Sequence, residues 1–191
     1  MQNCLFLIRL VLCAGLLSLA VGCTSLGKKT LVVDDNEYRL VFRDDFSHGT
    51  DNWEATDDNA WKIEDLDGNP VFSQFQMSKY EPPVRSPYNM ARVKGLQVRD
   101  FVLEADMEQT GKAYAHRDMC IFFGYQDPSH FYYVHIATNA DAAANSVFIV
   151  NDKPRVSIAS ERTDGTDWAT GFHKVRIVRD VDSGMIEEYF E

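Results

Sequence analysis

The chain has 191 residues, with 29 acidic against 19 basic side chains and a formal net charge of −10 at pH 7. That length accommodates one domain of ordinary size, and an aromatic share of 12% supports a packed core and argues against global disorder. A body this acidic repels nucleic acid and anionic polymers, which excludes a nucleic-acid partner and favours neutral glycans or cation-bridged ligands.

Leu5 to Val21 is almost wholly apolar and is interrupted by Arg9 near its start. A short positive region, an apolar region and then small residues make a secretory signal. Its end, Leu19-Ala20-Val21-Gly22-Cys23, resembles the lipobox of bacterial lipoproteins, in which a small residue precedes the Cys that receives lipid. The resemblance implies a signal peptide over 1–22, lipidation at Cys23 and membrane attachment through that lipid. Thr24 after the Cys implies the outer membrane, facing the periplasm or the cell surface. The competing reading is an uncleaved membrane helix, but the run is short for a span and a soft Thr24-Ser25-Leu26-Gly27 follows it. Processing removes Arg9 alone among the charges, leaving 18 basic against 29 acidic side chains. Of the four cysteines, Cys4 and Cys13 leave with the signal and Cys23 carries lipid. Cys120 is left alone and reads as a small buried hydrophobe.

Residues 23–37 are expected to be a lipidated tether and residues 38–191 one β-domain. Tyr38 to Phe42 reads as a first strand, followed by Asp44-Asp45-Phe46-Ser47 and Trp53. Trp61 to Ile63 reads as a strand and Asp67-Gly68-Asn69-Pro70 as a turn. Asp57, Asp58, Asp65 and Asp67 crowd this region and are candidate calcium ligands, although their spacing fits no known calcium loop. Met77 to Tyr88 holds three prolines and no apolar period, so it is an extended loop. Tyr80, Arg85, Tyr88 and Asn89 are its candidate substrate-binding side chains, with Trp168 further on.

Phe101 to Glu108 alternates, with Phe101, Leu103, Ala105 and Met107 facing in and Val102, Glu104, Asp106 and Glu108 facing out. Asp118 to Thr138 reads as two strands joined at Gln126-Asp127-Pro128-Ser129. The first arm is apolar on both faces, which suits the middle of a packed sheet. In the second arm Tyr132, Val134 and Ile136 make a core face. Phe131, Tyr133, His135 and Ala137 make an aromatic face with polar tips, expected to line a groove. Further strands follow at Ser146–Val150, Arg155–Ala159, Phe172–Arg179 and Met185–Phe190, and Ala137–Asn145 is at most one helical turn. Many short strands separated by turn residues make an all-β fold: a sandwich or jelly roll of two antiparallel sheets. The sequence stops inside its last strand, so the domain is expected to be C-terminally incomplete.

In order along the chain, Asp44-Asp45-Phe46 with Trp53, the strand Phe101–Met107, Phe122-Phe123-Gly124-Tyr125-Gln126 running into Tyr132-Tyr133, and Phe172 to Ile177 resemble concanavalin A-like sandwiches of the laminin-G type. They are most similar to the 3-keto-disaccharide hydrolase domains of exported bacterial proteins. The resemblance spans roughly residues 40–191 and implies carbohydrate binding or cleavage on a concave sheet face. The scaffold hosts both lectins and enzymes, so the fold leaves the activity open.

Three mechanisms compete. Glu104-Ala105-Asp106-Met107-Glu108 resembles the E-x-D-x-E signature of laminarinase-type glycoside hydrolases, which implies Glu104 as nucleophile, Asp106 as tuning partner and Glu108 as acid/base. Clustered carboxyls push one pKa up, as a general acid needs. However, positions i and i+4 of a strand lie about 13 Å apart, whereas a retaining pair needs carboxyls about 5–5.5 Å apart. Alternatively Tyr133, His135, His116 and Arg117 converge as a lyase-like set, with Tyr and His moving protons and Arg neutralising a uronate. Third, Tyr133 and Trp168 stack on sugar rings while Arg85, Asn89 and His135 bind hydroxyls, without catalysis. A purely structural envelope role predicts no glycan binding. No nucleotide loop, haem motif or zinc spacing is present.

Overall fold

A computed structural model describes residues 10–15, 30–33, 36–114 and 117–191. The fold is an all-β sandwich. One sheet has six strands in the order β14-β13-β8-β1-β3-β2, and the other has four in the order β12-β11-β10-β9. The six-stranded sheet comprises β1 (Leu10–Gly15), β2 (Thr30–Val33), β3 (Asn36–Asp44), β8 (Phe101–Met107), β13 (His173–Asp180) and β14 (Met185–Phe190). The four-stranded sheet comprises β9 (Asp118–Asp127), β10 (His130–Ala137), β11 (Ser146–Asn151) and β12 (Val156–Ser157). Among the described residues two antiparallel ribbons accompany the sheets: β4 (Trp53–Ala55) with β7 (Ala91–Val93), and β5 (Trp61–Leu66) with β6 (Asn69–Gln74). A short 3-10 turn, Asp58–Ala60, precedes β5. Among the described residues no helix is long and apolar enough to cross a membrane.

Period-2 alternation builds the core. Phe101, Leu103, Ala105 and Met107 of β8 are buried, as their spacing requires, and meet Val175 and Ile177 of β13. Met119, Ile121 and Phe123 of β9 and Val134 and Ile136 of β10 close on them from the other sheet. Fully burying each such side chain contributes about 1.5–3 kcal/mol. Val102 corrects the outward reading of its face. It is buried with Tyr38 and Val178, and Leu31, Val33 and Leu40 pack against them in a second small cluster.

Two turns show how polar residues shape the strand ends. Asp44 accepts the Phe46 N–H at 2.9 Å and the Trp53 indole N–H at 3.0 Å. It thereby holds Phe46 at φ 59 and packs it against Trp53 and Phe72. At the β5–β6 hairpin, Asp67 and Gly68 both have positive φ, as a tight two-residue turn demands, and Asn69 and Pro70 belong to the returning strand.

Two N-terminal expectations meet different geometry. Leu10–Gly15, assigned to the departing leader, is a strand between β3 and β8. Thr30–Val33, assigned to the tether, pairs with β3. The lipobox, including Cys23, lies outside the described residues.

Candidate functional site

The aromatic face of β10 is not an open groove. Phe131 and Tyr133 pack with Phe148, Val150 and Met90, and Tyr80 and Val84 of the 77–90 loop lie against them. Tyr133 is 0% exposed and His135 5%. The reason is the loop. Ser78 N–H donates to Asn89 Oδ1, Lys79 N–H to Asp57 Oδ2, and the Thr56 hydroxyl to Tyr88 O. Arg155 N–H donates to Arg85 O, tying the loop to the far edge of the sheet. A strand pattern reports which residues share a face, but not whether a distant loop covers it.

His135 is therefore a structural link. Its Nδ1 accepts the Asn145 N–H at 3.2 Å, so the ring proton sits on Nε2, 3.2 Å from Asp118 Oδ2. Burial pushes the Tyr133 hydroxyl pKa well up, and the Cys120 thiol adds to this. Burial also drives Cys120 well up, which leaves a protonated thiol and no nucleophile. Arg117 donates to Gln109 O. His116 lies outside the described residues.

Glu104 and Asp106 of β8 stand on the face opposite the main core, Glu108 follows the strand's end, and each has a partner. Glu104 pairs with Arg176 at 2.7 Å and Asp106 with Lys174 at 3.3 Å, both across the β8–β13 ladder. Glu108 accepts the Gly171 N–H at 3.2 Å. This is a cross-strand charge ladder and not a shaped carboxyl pair. Trp168 is 2% exposed and donates to Ile136 O, so it is core and offers no stacking platform. Asn89 straps its loop. Tyr80 is half-buried, and Arg85 and Tyr88 are exposed. Among the acidic loop residues, Asp57 accepts the Asn59 and Lys79 N–H groups and Asp65 the Gly68 N–H. Among the described residues no three His, Cys, Asp or Glu gather as a metal group.

A concave feature lies elsewhere. A cavity of about 570 Å³ opens between β9, an end strand of its sheet, and the β4–β7 ribbon with residues 95–98. Leu96, Val98, Leu103, Met107, Ile121 and Phe123 contribute to its apolar floor. At its mouth Glu54 and Arg92 are cross-strand neighbours, paired at 3.0 Å. The Arg92 guanidinium also lies 3.7 Å from the Tyr125 ring centre, joining the ribbon to β9. Burial raises the Tyr125 pKa, and Arg92 opposes the rise. Gln97 and Gln126 add amides to the lining. This site binds apolar surface in its depth and polar groups at its rim. Its acid, Glu54, is committed to Arg92. Sequence reasoning missed all three rim residues. They lie on three separate strands, and only the closed sandwich brings them together. Comparison of the chain with protein-family models, curated proteins and solved structures finds no match.

Proposed function

We propose that the chain is an exported lipoprotein, held at the outer membrane through Cys23, whose concanavalin A-like sandwich binds a neutral glycan without cleaving it. The cleft mouth carries this reading. An aromatic ring, a stacked guanidinium, a carboxylate and two amides border an apolar floor. Such a rim suits a sugar, whose hydroxyls meet Arg92, Glu54 and Gln126, while Tyr125, held between Arg92 and Phe131, forms the wall beside them. The net charge of −10 favours a neutral ligand. The hydrolase and lyase alternatives lose support. Glu104 and Asp106 are ion-paired, Glu108 holds a backbone N–H, and Tyr133 and His135 are buried. The likeness to 3-keto-disaccharide hydrolase domains is accordingly one of fold, and no cofactor enters this reading. The apolar floor favours a second reading, an acyl chain with its head group at Arg92.

The test is calorimetric titration of the purified chain with a panel of neutral oligosaccharides, with products followed by mass. Binding without a cleaved product is expected, at least tenfold weaker in Arg92→Ala. A cleaved product overturns the non-catalytic assignment. Undiminished binding by Arg92→Ala overturns the location. Binding of a fatty acid in place of every glycan selects the second reading.

A further inference from the structure

We propose that Met77 is an oxidation site, through which a hydroperoxide fastens the 77–90 loop over the β10 face. Met77 is 60% exposed, more than any other described methionine. Met185 is 38% exposed, and Met90, Met107 and Met119 are buried. The Met77 sulfur faces one amide. Asn89 Nδ2 donates to Met77 Sδ at 3.9 Å, while Asn89 Oδ1 accepts the Ser78 N–H at 2.6 Å. The backbone donor at Ser78 fixes which end of the amide is which, so Nδ2 is the atom that meets the sulfur. Asn89, at the far end of the loop, thus bridges two consecutive residues at its start. One of the two bonds is a full hydrogen bond. The other ends on a thioether, which is a weak acceptor.

Oxidation strengthens the weak bond. A lone pair of the Met77 sulfur attacks the terminal oxygen of the hydroperoxide, and the O–O bond breaks. The proton on the attacked oxygen passes to the departing one, so thioether and hydroperoxide become sulfoxide and alcohol, or water when hydrogen peroxide is the oxidant. The new oxygen is a strong acceptor, and the geometry has room for it. With an S–O bond of about 1.5 Å, an N–H···O bond of about 2.9 Å and about 120° at the oxygen, sulfur and nitrogen lie about 3.9 Å apart. That is the separation Met77 Sδ and Asn89 Nδ2 already have, so neither side chain has to move. Met77 belongs to none of the three apolar clusters, so no core packing is lost when the thioether turns polar. A sulfoxide sulfur is chiral, and only one epimer aims its oxygen at Asn89. The bridge closes the neck of a loop whose Tyr80 and Val84 pack on the cluster of Phe131 and Tyr133. Peroxide therefore tightens this cover.

The test treats the purified chain with hydrogen peroxide and follows it by peptide mass and by amide exchange in NMR. Met77 is expected to gain one oxygen at least threefold faster than Met185, before the buried methionines react. Exchange at Ser78 then slows about three- to tenfold, the effect of one added hydrogen bond. In Asn89→Ala, Met77 still oxidises but exchange at Ser78 does not slow further. In Met77→Leu, peroxide leaves exchange at Ser78 unchanged. Of two sulfoxide reductases, each specific for one epimer, one reverses the slowing and the other does not. Unchanged or faster exchange at Ser78 in protein whose Met77 carries the oxygen overturns the proposal. So does equal slowing in Asn89→Ala or Met77→Leu, or a Met77 that stays unreacted while Met185 oxidises.

Discussion

Replacing Glu188 by Gln isolates one carboxyl that the fold places against its own interest. Glu188 stands opposite Ile177 in the β13–β14 ladder and so shares the inward face of that core residue. Ile186 and Phe190, two positions to either side, pack against the main core. Burial alone raises the Glu188 pKa from 4.5 to about 7. A rise of about two and a half pH units corresponds to about 3.4 kcal/mol, and partial hydration reduces this to roughly 2–3 kcal/mol. The folded pKa lies above the unfolded value, so the folded state holds the proton more tightly. The destabilisation is absent below about pH 4.5, grows as pH rises and is complete above about pH 7. Gln carries no charge at any pH. Glu188→Gln is therefore more stable than the parent by about 2–3 kcal/mol at pH 8.5 and equal to it at pH 4. Urea unfolding of both proteins across this range is the assay. A stability difference that does not change with pH refutes the argument.

Other substitutions test the remaining assignments. His135→Ala strands the buried Asn145 N–H and the Asp118 carboxylate, and urea unfolding should show a loss of about 2–4 kcal/mol. Glu104→Gln and Glu108→Gln should each cost less than about 1 kcal/mol and leave ligand affinity unchanged in calorimetry. Gly165→Ala puts a Cβ onto the Thr138 carbonyl at φ 154, so the backbone must shift, and a loss above about 2 kcal/mol is expected in thermal or urea melts. His130, held between Asp127 and Asp152, has a raised pKa, caused first by its hydrogen bond to Asp127. Its small contribution to stability is present below pH 6.5 and is lost as pH rises through the folded value, so an NMR titration of its ring should show a midpoint above 6.5.

The strand periodicity and turn chemistry were enough to predict the all-β class, the β9–β10 hairpin, the inward face of β8 and the last hairpin. Those features follow from local rules, in which period-2 burial and short polar turns act within a few residues. Glu188 was not singled out, although the alternation of Ile186 and Phe190 around it was the signal that could have found it. What the sequence left open depended on which segments meet. Whether the Tyr133–His135 face is groove or core depends on a loop more than forty residues earlier, held by Asp57, Asn89 and Arg155. Whether Glu104, Asp106 and Glu108 act as a catalytic set depends on the register that brings Arg176 and Lys174 opposite two of them. The cleft exists only because β9 ends its sheet while Arg92 reaches Tyr125 from another strand. Sequence alone determined the all-β class and the inward face of strands such as β8, because those follow from chain geometry, whereas the strands at Leu10–Gly15 and Thr30–Val33 and the covering of Val102 did not. Tertiary structure alone decided which faces stay open, because coverage depends on contacts between segments far apart in the chain.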